Sequence, residues 1–461
     1  MTRKKENLSQ PGAVLIEEAF IVTKDGTTFS LKNFIAEICV YEHINMNGMH
    51  ADITIVDSNG LITAAPILGE ETVVIEFRTP TFQDKFNRNF VVYSIVNRLV
   101  NNDREQFYTL KCVTPELYAD NFVRLTSKFS GATDELVQNV FDQIKIKRGK
   151  TNKAKDSELF IAETPHASTN YEFIANHWSP FKCLNHLATK SIGKESNKSN
   201  FKFFENKSGF FFASPESLVR AQKKNRAVYD EYNIQQNQTQ EVREDKRNGG
   251  YNYVSPFISS RFNQVESIYY PSFKDNIRSQ MDGYTASSIY SYDFTTKRLA
   301  VMKFDGRPES KEIAKEDRRY ISETFDDFET ISKINPIPEQ TLGNPLANRT
   351  FSPMATSPYA TTFSRGVDQI RNTLIRRYGD AELEDNVMEI TVPGKTDVET
   401  GLLVRLIYPQ TKELGQTAID RTELEDPYIS GIYLIIGVRH DIQNGQHSMT
   451  LSLMKDSLGD F

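Results

Sequence analysis

Ser430-Gly431-Ile432-Tyr433-Leu434-Ile435-Ile436-Gly437-Val438-Arg439-His440, followed after a short interval by Gln446-His447-Ser448-Met449-Thr450-Leu451-Ser452-Leu453-Met454, is the most legible stretch of this chain. In the second run Met449, Leu451 and Leu453 alternate with Ser448, Thr450 and Ser452. That two-residue period belongs to a strand with one face in a core and the other polar. Further β-rich runs lie just upstream at Val387–Val392 and Leu402–Ile407. Before them, Val367, Ile370, Leu374 and Tyr378 fall on one face of a predicted helix over about Ser364–Tyr378, with Gly379 as its stop. The last hundred residues therefore read as a helix followed by the strands of a closing barrel.

The beginning of the chain has the same texture. Short β-rich runs occur at Val14–Val22, Phe34–Ile44, Asp52–Asp57, Thr72–Thr79, Asn89–Asn97 and Gln106–Thr114. Asp25-Gly26, Asn47-Gly48 and Asn59-Gly60 lie between them, where glycine supplies the positive φ of tight turns. Six short strands at this spacing predict an antiparallel barrel or sandwich.

Between the ends the period changes to that of helices. Leu136, Val137, Val140, Phe141 and Ile144 share one face over Thr133–Ile144, with Thr133 as the expected N-cap and Asp134 and Glu135 in the first turn. Ser179-Pro180 opens a second helix with Phe181, Leu184, Leu187 and Ala188 inward, and a strand pair follows at Phe201–Glu205 and Gly209–Ala213. Lys223–Asn252 is polar and Gln-rich and reads as a connector. After it come runs at Gln264–Tyr269, Ala286–Phe294 and Arg298–Phe304 and a helix expected at Phe273–Asp282. Five prolines in Asn335–Phe363 exclude a regular helix or central strand, so this segment is expected to be an extended arm or loop.

The predicted fold is thus β-rich α+β, with two antiparallel β-barrel domains flanking an α/β insertion. Its divisions are a first barrel at 1–125, the insertion at 126–222, a connector and the start of the second barrel at 223–334, the Pro-rich arm at 335–363, and a helix with the rest of the second barrel at 364–461. A chain of 461 residues exceeds the size at which one core stops growing, which agrees with several domains.

A net charge of −6 argues against a general nucleic-acid binder, which needs a basic excess to neutralise phosphates. Cys39, Cys112 and Cys183 form no metal or disulfide spacing and read as small core residues of a protein folded in a reducing cytoplasm. The N-terminus has no apolar signal region, and no window of 18 uninterrupted apolar residues occurs.

The C-terminal block just quoted resembles the closing hairpin of the baseplate hub proteins of contractile-tailed, T-even-like phages. Phe363–Pro409, with its Pro393-Gly394 turn, is similar to the elements that precede that hairpin. Ala51–Asp57, Pro66–Glu71 and Val74–Phe77 resemble the family's first barrel. The resemblance covers both ends and, in the middle, only the order of elements; the hub portion of type VI secretion spike proteins is related.

The resemblance implies a homotrimer whose six barrels form a ring joining a sixfold tail tube to a threefold spike. It implies a place in the virion, in the tail baseplate, after synthesis in the host cytoplasm. The implied partners are further copies of the chain, the spike protein, the tail tube or its initiator, baseplate wedge proteins and the tape measure protein. DNA would be met only in transit, during genome ejection, and no stable membrane association is expected. A contractile injection system is an alternative setting. This sequence departs from family members that carry an appended spike or lysozyme segment, so puncturing and wall hydrolysis are expected of a separate chain; no cofactor and no catalytic residue are expected, and a tail-associated cell-wall hydrolase is the alternative from another class.

The residues themselves offer few candidates for chemistry. Cys183 and His186 share a helical face as a half-site for zinc, but no second Cys or His pair completes four ligands, so packing is the preferred reading. Asp326-Asp327 with Glu329, and Glu423, Glu425 and Asp426, are carboxylate groups of the kind glycosidases use, but read as solvated loops. Gly394-Lys395-Thr396 lacks the upstream glycine of a phosphate loop and reads as a turn. The basic run Lys145, Lys147, Arg148, Lys150, Lys153 and Lys155 is either a solvated loop or a dock for an acidic partner or DNA. Arg439 and His440 are candidates for a lumen or an interface. Phe210–Phe212 and Tyr269-Tyr270 are either interface anchors or core.

Overall fold

The computed structural model describes residues 11–65, 67–80, 84–102, 105–146, 157–166, 171–196, 199–224, 230–233, 241–245, 250–254, 262–273, 286–293, 297–305, 349–354, 386–408 and 429–455, with Thr373, Leu374, Arg376, Asp380 and Asp426 besides.

The N-terminal strands are β1 (Leu15–Val22), β2 (Thr28–Ser30), β3 (Ile35–His43), β4 (His50–Asp57), β5 (Thr72–Arg78), β6 (Lys85–Asn102) and β7 (Glu105–Val113). They pair antiparallel in the order β3-β4-β7-β6-β5-β1-β2. Strand β4 shows why: Ala51, Ile53 and Ile55 are buried while His50, Asp52 and Thr54 stay partly exposed. Each large aliphatic side chain so buried contributes roughly 1.5–3 kcal/mol.

The Asp57 carboxylate at the end of β4 accepts from the backbone amides of Asn59, Leu61 and Ile62, which sets the short helix α1 (Leu61–Ala64). Gly26 and Gly60 have the expected positive φ, but Gly48 does not. Gly48 is small because a Cβ there would lie 2.8 Å from Leu117 Cβ, on the helix α2 (Pro115–Asp120).

Two departures from expectation concern this half and the next, and one open alternative is resolved in favour of the core. The fifth run, predicted at Asn89–Asn97, is longer than expected as strand β6, and Leu99 and Val100 near its end are exposed. Thr133 is not the N-cap: helix α3 (Thr133–Phe141) begins on it, Ala132 holds the cap position without a side-chain hydrogen bond, and Thr133 is buried. Phe210 and Phe212 are core residues.

The insertion contains β8 (Lys128–Gly131), α3, β9 (Leu159–Ile161), β10 (Pro165–His166), β11 (Tyr171–Ile174), α4 (Pro180–Lys190), β12 (Ile192–Gly193), β13 (Lys202–Glu205), β14 (Phe210–Ala213) and α5 (Pro215–Lys224). Ser179 caps α4 as expected, accepting from the Lys182 amide. Leu136, Val140, Phe141, Phe181, Leu187, Phe203 and Phe212 form its core.

The polar connector is partly regular structure. Strand β15 (Asp230–Asn233) lies parallel to a C-terminal strand and buries Tyr232. A hairpin, β16 (Glu241–Asp245) and β17 (Gly250–Val254), follows. β18 (Ser267–Phe273) ends where a helix was predicted, and 274–282 lie outside the described residues.

β19 (Ala286–Asp293), β20 (Arg298–Asp305) and β21 (Arg349–Met354) make a separate sheet. The last of these brings Pro353 of the Pro-rich segment into a strand, contrary to the reading as arm or loop. It is tolerated because β21 is an edge, where the missing N–H need not pair. The rest of 335–363 lies outside the described residues, as does most of the predicted helix over 364–378, of which Thr373, Leu374 and Arg376 are helical.

The C-terminal strands are β22 (Asn386–Pro393), β23 (Leu403–Ile407), β24 (Gly431–Gln443) and β25 (Gln446–Met454). Asn444 and Gly445, both at positive φ, turn β24 into β25. Their core of Ile390, Leu406, Ile435, Val438, Met449 and Leu451 takes in Tyr232 and Val265.

One strand joins the halves. The first part of β24 pairs with β23, and the second part, from Gly437 to Gln443, pairs with β3. A bulge between Ile435 and Gly437 marks the change of partner, and a Cβ on Gly437 would lie 2.7 Å from His43 Cδ2. Ile442 thereby enters the N-terminal core. A bridge from Ala13 to Gln446 brings β25 against the start of β1, and the two halves form one 13-stranded sheet.

Candidate functional site: a polar sheet face and the buried seam beneath it

The alternation that buries one side of this sheet leaves the other polar across β22, β25, β24, β3 and β4, and Lys111, Thr109 and Ser94 continue it onto β7 and β6 beside the apolar Val113 and Val96. One row of cross-strand partners runs Thr391, Thr450, Arg439, Tyr41 and His50. The next runs Ser448, Asp441, Cys39, Asp52, Lys111 and Ser94. A third runs Gln446, Gln443, Glu37, Thr54 and Thr109. At a strand spacing of ~4.8 Å this face is about 30 Å wide, and it crosses from one half to the other without a break.

Its two row cations are engaged. Arg439 Nε donates to Asp441 Oδ1 at 2.9 Å with the guanidinium over the Tyr41 ring, and Lys111 Nζ donates to Asp52 Oδ2 at 2.6 Å. Cys39 is the buried member; burial, then its bond to Asp441, pushes the thiol up to about 12, so it stays protonated and donates at 3.1 Å. With Glu37 alongside, this is a hydrogen-bonded cluster whose thiol is not a thiolate ligand.

Beneath the face lies a buried polar seam where the N-terminal sheet, the insertion and the loop after β22 converge. Arg88 Nη2 donates to the carbonyls of Asn206 and Lys207 at 2.7 and 2.8 Å, with Nη1 3.7 Å from Glu205. Glu205 accepts from the Met49 amide and the Thr114 hydroxyl. Thr396 Oγ1 donates to Asp84 O at 2.7 Å, Lys207 Nζ to Thr396 O at 2.5 Å, and Asn206 Nδ2 to Thr400 O at 2.9 Å. Glu42 accepts from the Thr400 amide, and burial, reinforced by Glu399, pushes its carboxyl up to about 8. Burial also pushes Glu205 up, against the pull of Arg88.

The sequence candidates divide sharply. Arg439 reaches solvent with 49% of its side chain exposed, whereas His440 is 1% exposed and faces His447, its Nδ1 3.0 Å from Nε2, so it presents no surface. Parity held the signal, since His440 alternates in phase with Val438 and Ile442, and His447 with Met449 and Leu451. Lys145 follows α3; Lys147, Arg148, Lys150, Lys153 and Lys155 lie outside the described residues.

Cys183 is buried, and His186 Nε2 is 2.8 Å from the Tyr171 hydroxyl, so the pair is engaged in packing. Asp326, Asp327, Glu329, Glu423 and Glu425 also lie outside the described residues. Gly394-Lys395-Thr396 is a turn, as expected, and Lys395 Nζ in it donates to Asp230 and Asn263. Tyr269 is 62% exposed. Sequence reading missed the seam, because Arg88, Glu42, Glu205 and Asn206 sit far apart in the chain in unremarkable contexts.

Among the described residues no helix is long and apolar enough to cross a membrane. No protein-family model matches the chain, and no curated protein sequence does. Solved structures do. The tail protein from Neisseria meningitidis MC58 aligns over 96% of this chain and 97% of its own, at 11% identity and a TM-score of 0.50. The 43 kDa tail protein of prophage MuSo2 from Shewanella oneidensis aligns over 95% of this chain and 99% of its own, at 9% identity and a TM-score of 0.50. A chain of the Francisella PdpA-VgrG complex aligns over 54% of its own length at a TM-score of 0.45, too distant to weigh. End to end, the chain has the fold of bacterial and prophage tail proteins.

Proposed function

We propose that the chain is a non-enzymatic structural subunit of a contractile-type tail, a hub forming a ring of three copies whose polar sheet faces line the central passage. The observation that carries this reading is the polar face that runs unbroken across both halves. Its row cations are tied to Asp441 and Asp52, and Glu37 and Glu389 add further acid to the same face. A wall of this kind offers a polyanion little to hold, since retention needs free cations to displace counterions. It suits passage better than binding.

In this reading residues 1–125 build the first barrel, 126–222 the insertion, and 364–461 with parts of 223–334 the second barrel. The bridge from Ala13 to Gln446 supports closure of the first barrel by the C-terminal hairpin. Two barrels per chain would give three copies six similar surfaces toward a tube and three toward a spike. The partners would be the spike, the tube or its initiator, wedge proteins and the tape measure protein.

The test is absolute mass combined with electron microscopy of the purified chain, with and without its spike. A threefold ring with the Arg439 face on the central hole is expected. A persistent monomer, or a ring with that face outward, overturns the reading. Cell-wall hydrolysis by the purified chain in a zymogram, lost on substitution of a carboxylate, would overturn its non-enzymatic part.

A further inference from the structure

His440 and His447 face each other where the C-terminal hairpin crosses onto the N-terminal sheet. Each is 1% exposed, and the 3.0 Å contact between Nδ1 and Nε2 uses one nitrogen of each ring. The other two, His440 Nε2 and His447 Nδ1, are buried without a hydrogen-bond partner. The surroundings are apolar and tight. Phe77 lies 6.0 and 5.6 Å from the two rings, Phe86 lies 5.9 Å from His440, and a Cβ on Gly394 would fall 2.0 Å from His447 Cγ.

These two residues sit in the pairings that join the halves. His440 stands opposite Val40 of β3, while the His447 amide donates to Gly12 O and its carbonyl accepts from the Gly394 amide. We propose that the pair makes this junction an acid-released joint: protonation of the imidazoles parts β24 and β25 from β3 and from the residues before β1, while the rest of each half stays folded.

The charges around the pair favour release. The titratable groups whose field reaches His440 are His447 and Lys207, both of which oppose a second positive charge. Arg88, on β6 beyond Phe86, is another cation, held by the carbonyls of Asn206 and Lys207. Glu42, in phase with Val40 on β3, is protonated below about pH 8 and supplies no anion. Phe77, Phe86, Val40, Gly12 and Gly394 contribute no charge. Burial holds His447 down at about 3 and His440 well below its ordinary value, so both rings are neutral while the joint is closed. An imidazole in the open form regains its ordinary pKa near 6.5. Below that pH each ring that gains a proton on opening multiplies the opening equilibrium by about ten per pH unit.

The test is amide hydrogen exchange of the full-length protein between pH 7 and 4.5, corrected for the intrinsic rate. Glu42 titrates in the opposite sense on opening, so the series is run on the wild type and on Glu42→Gln. Protection of residues 437–443 and 37–43 is expected to fall about tenfold per pH unit in the wild type and up to about a hundredfold in Glu42→Gln, while Ile53–Ile55 and Tyr108–Leu110 keep theirs. Adding His447→Gln to Glu42→Gln should bring the dependence to at most about tenfold per unit. Flat protection at the joint, or loss there only together with Ile53–Ile55, overturns the proposal. The wild-type series decides even if a variant does not fold.

Discussion

Cys39 on β3 and Asp441 on β24 stand opposite each other, thiol donating to carboxylate at 3.1 Å, although 402 positions separate them in the chain. This contact belongs to the pairing that makes two halves one sheet, and the stability of the molecule should depend on the residues beneath it.

Arg88→Met tests the seam. The substitution removes two hydrogen bonds to backbone carbonyls and leaves Glu205 buried beside an apolar side chain. Removing one partner of a buried pair costs about 3–5 kcal/mol, and the raised pKa of Glu205, which lets it take up a proton, places the expected loss near the lower end. Denaturant unfolding monitored by circular dichroism would measure it.

Gly394→Ala tests the packing of the turn on His447. An added Cβ would overlap the imidazole at 2.0–2.4 Å, and that ring is buried against Phe77 and His440. Overpacking of this kind costs about 1–3 kcal/mol. The melting temperature should drop, whereas Gly26→Ala, where no atom lies within 4 Å, should cost only the strain of its positive φ.

Glu42→Gln should stabilise the protein in alkali and do little in acid. The folded carboxyl is raised to about 8 from an ordinary value near 4.5, so between those values the native state holds a proton that the unfolded chain lacks. Stability from this group is therefore full below pH 4.5 and is lost as pH rises toward 8. Glutamine keeps an oxygen for the Thr400 amide and removes the titration. A gain of up to roughly 5 kcal/mol is expected at pH 9, and less than about 1 kcal/mol at pH 5. Equal effects at the two pH values would contradict the assignment.

Leu99→Ser and Val100→Ser, near the exposed end of β6, should leave the isolated chain's stability within about 0.5 kcal/mol. If this end meets a neighbouring copy in the ring, the same changes should lower the assembled fraction in analytical ultracentrifugation.

Much of the architecture was legible because it is local. Strands with clean alternation, such as Gln446–Met454 and Glu105–Val113, and helices with an apolar stripe, such as α3 and α4, declare themselves within ten residues. What did not declare itself was partnership. Nothing in Ile35–His43 says that its neighbour will be Gly437–Gln443, because an edge accepts any strand of matching length and parity. β15 was hidden for another reason: four residues, Asp230–Asn233, with one buried aromatic, make no period. The candidate site fared likewise. Arg439 stood out as a charge in an apolar run, whereas the buried Glu42, Arg88 and Glu205 look in sequence like any solvated residue.

The pairing of β24 with β3 also sets an order of events in synthesis. The ribosome makes Ile35–His43 long before Gly431–Gln443, so the open edge of β3 waits until everything between them has been translated. An unpaired edge invites other strands, and such distant contacts form slowly. A product cut short before residue 431 has no β24 to cover that edge and no hairpin to reach Ala13. The two strands of the hairpin thus act as a late clasp, and only a chain translated past them closes the edge of β3 and carries the continuous polar face.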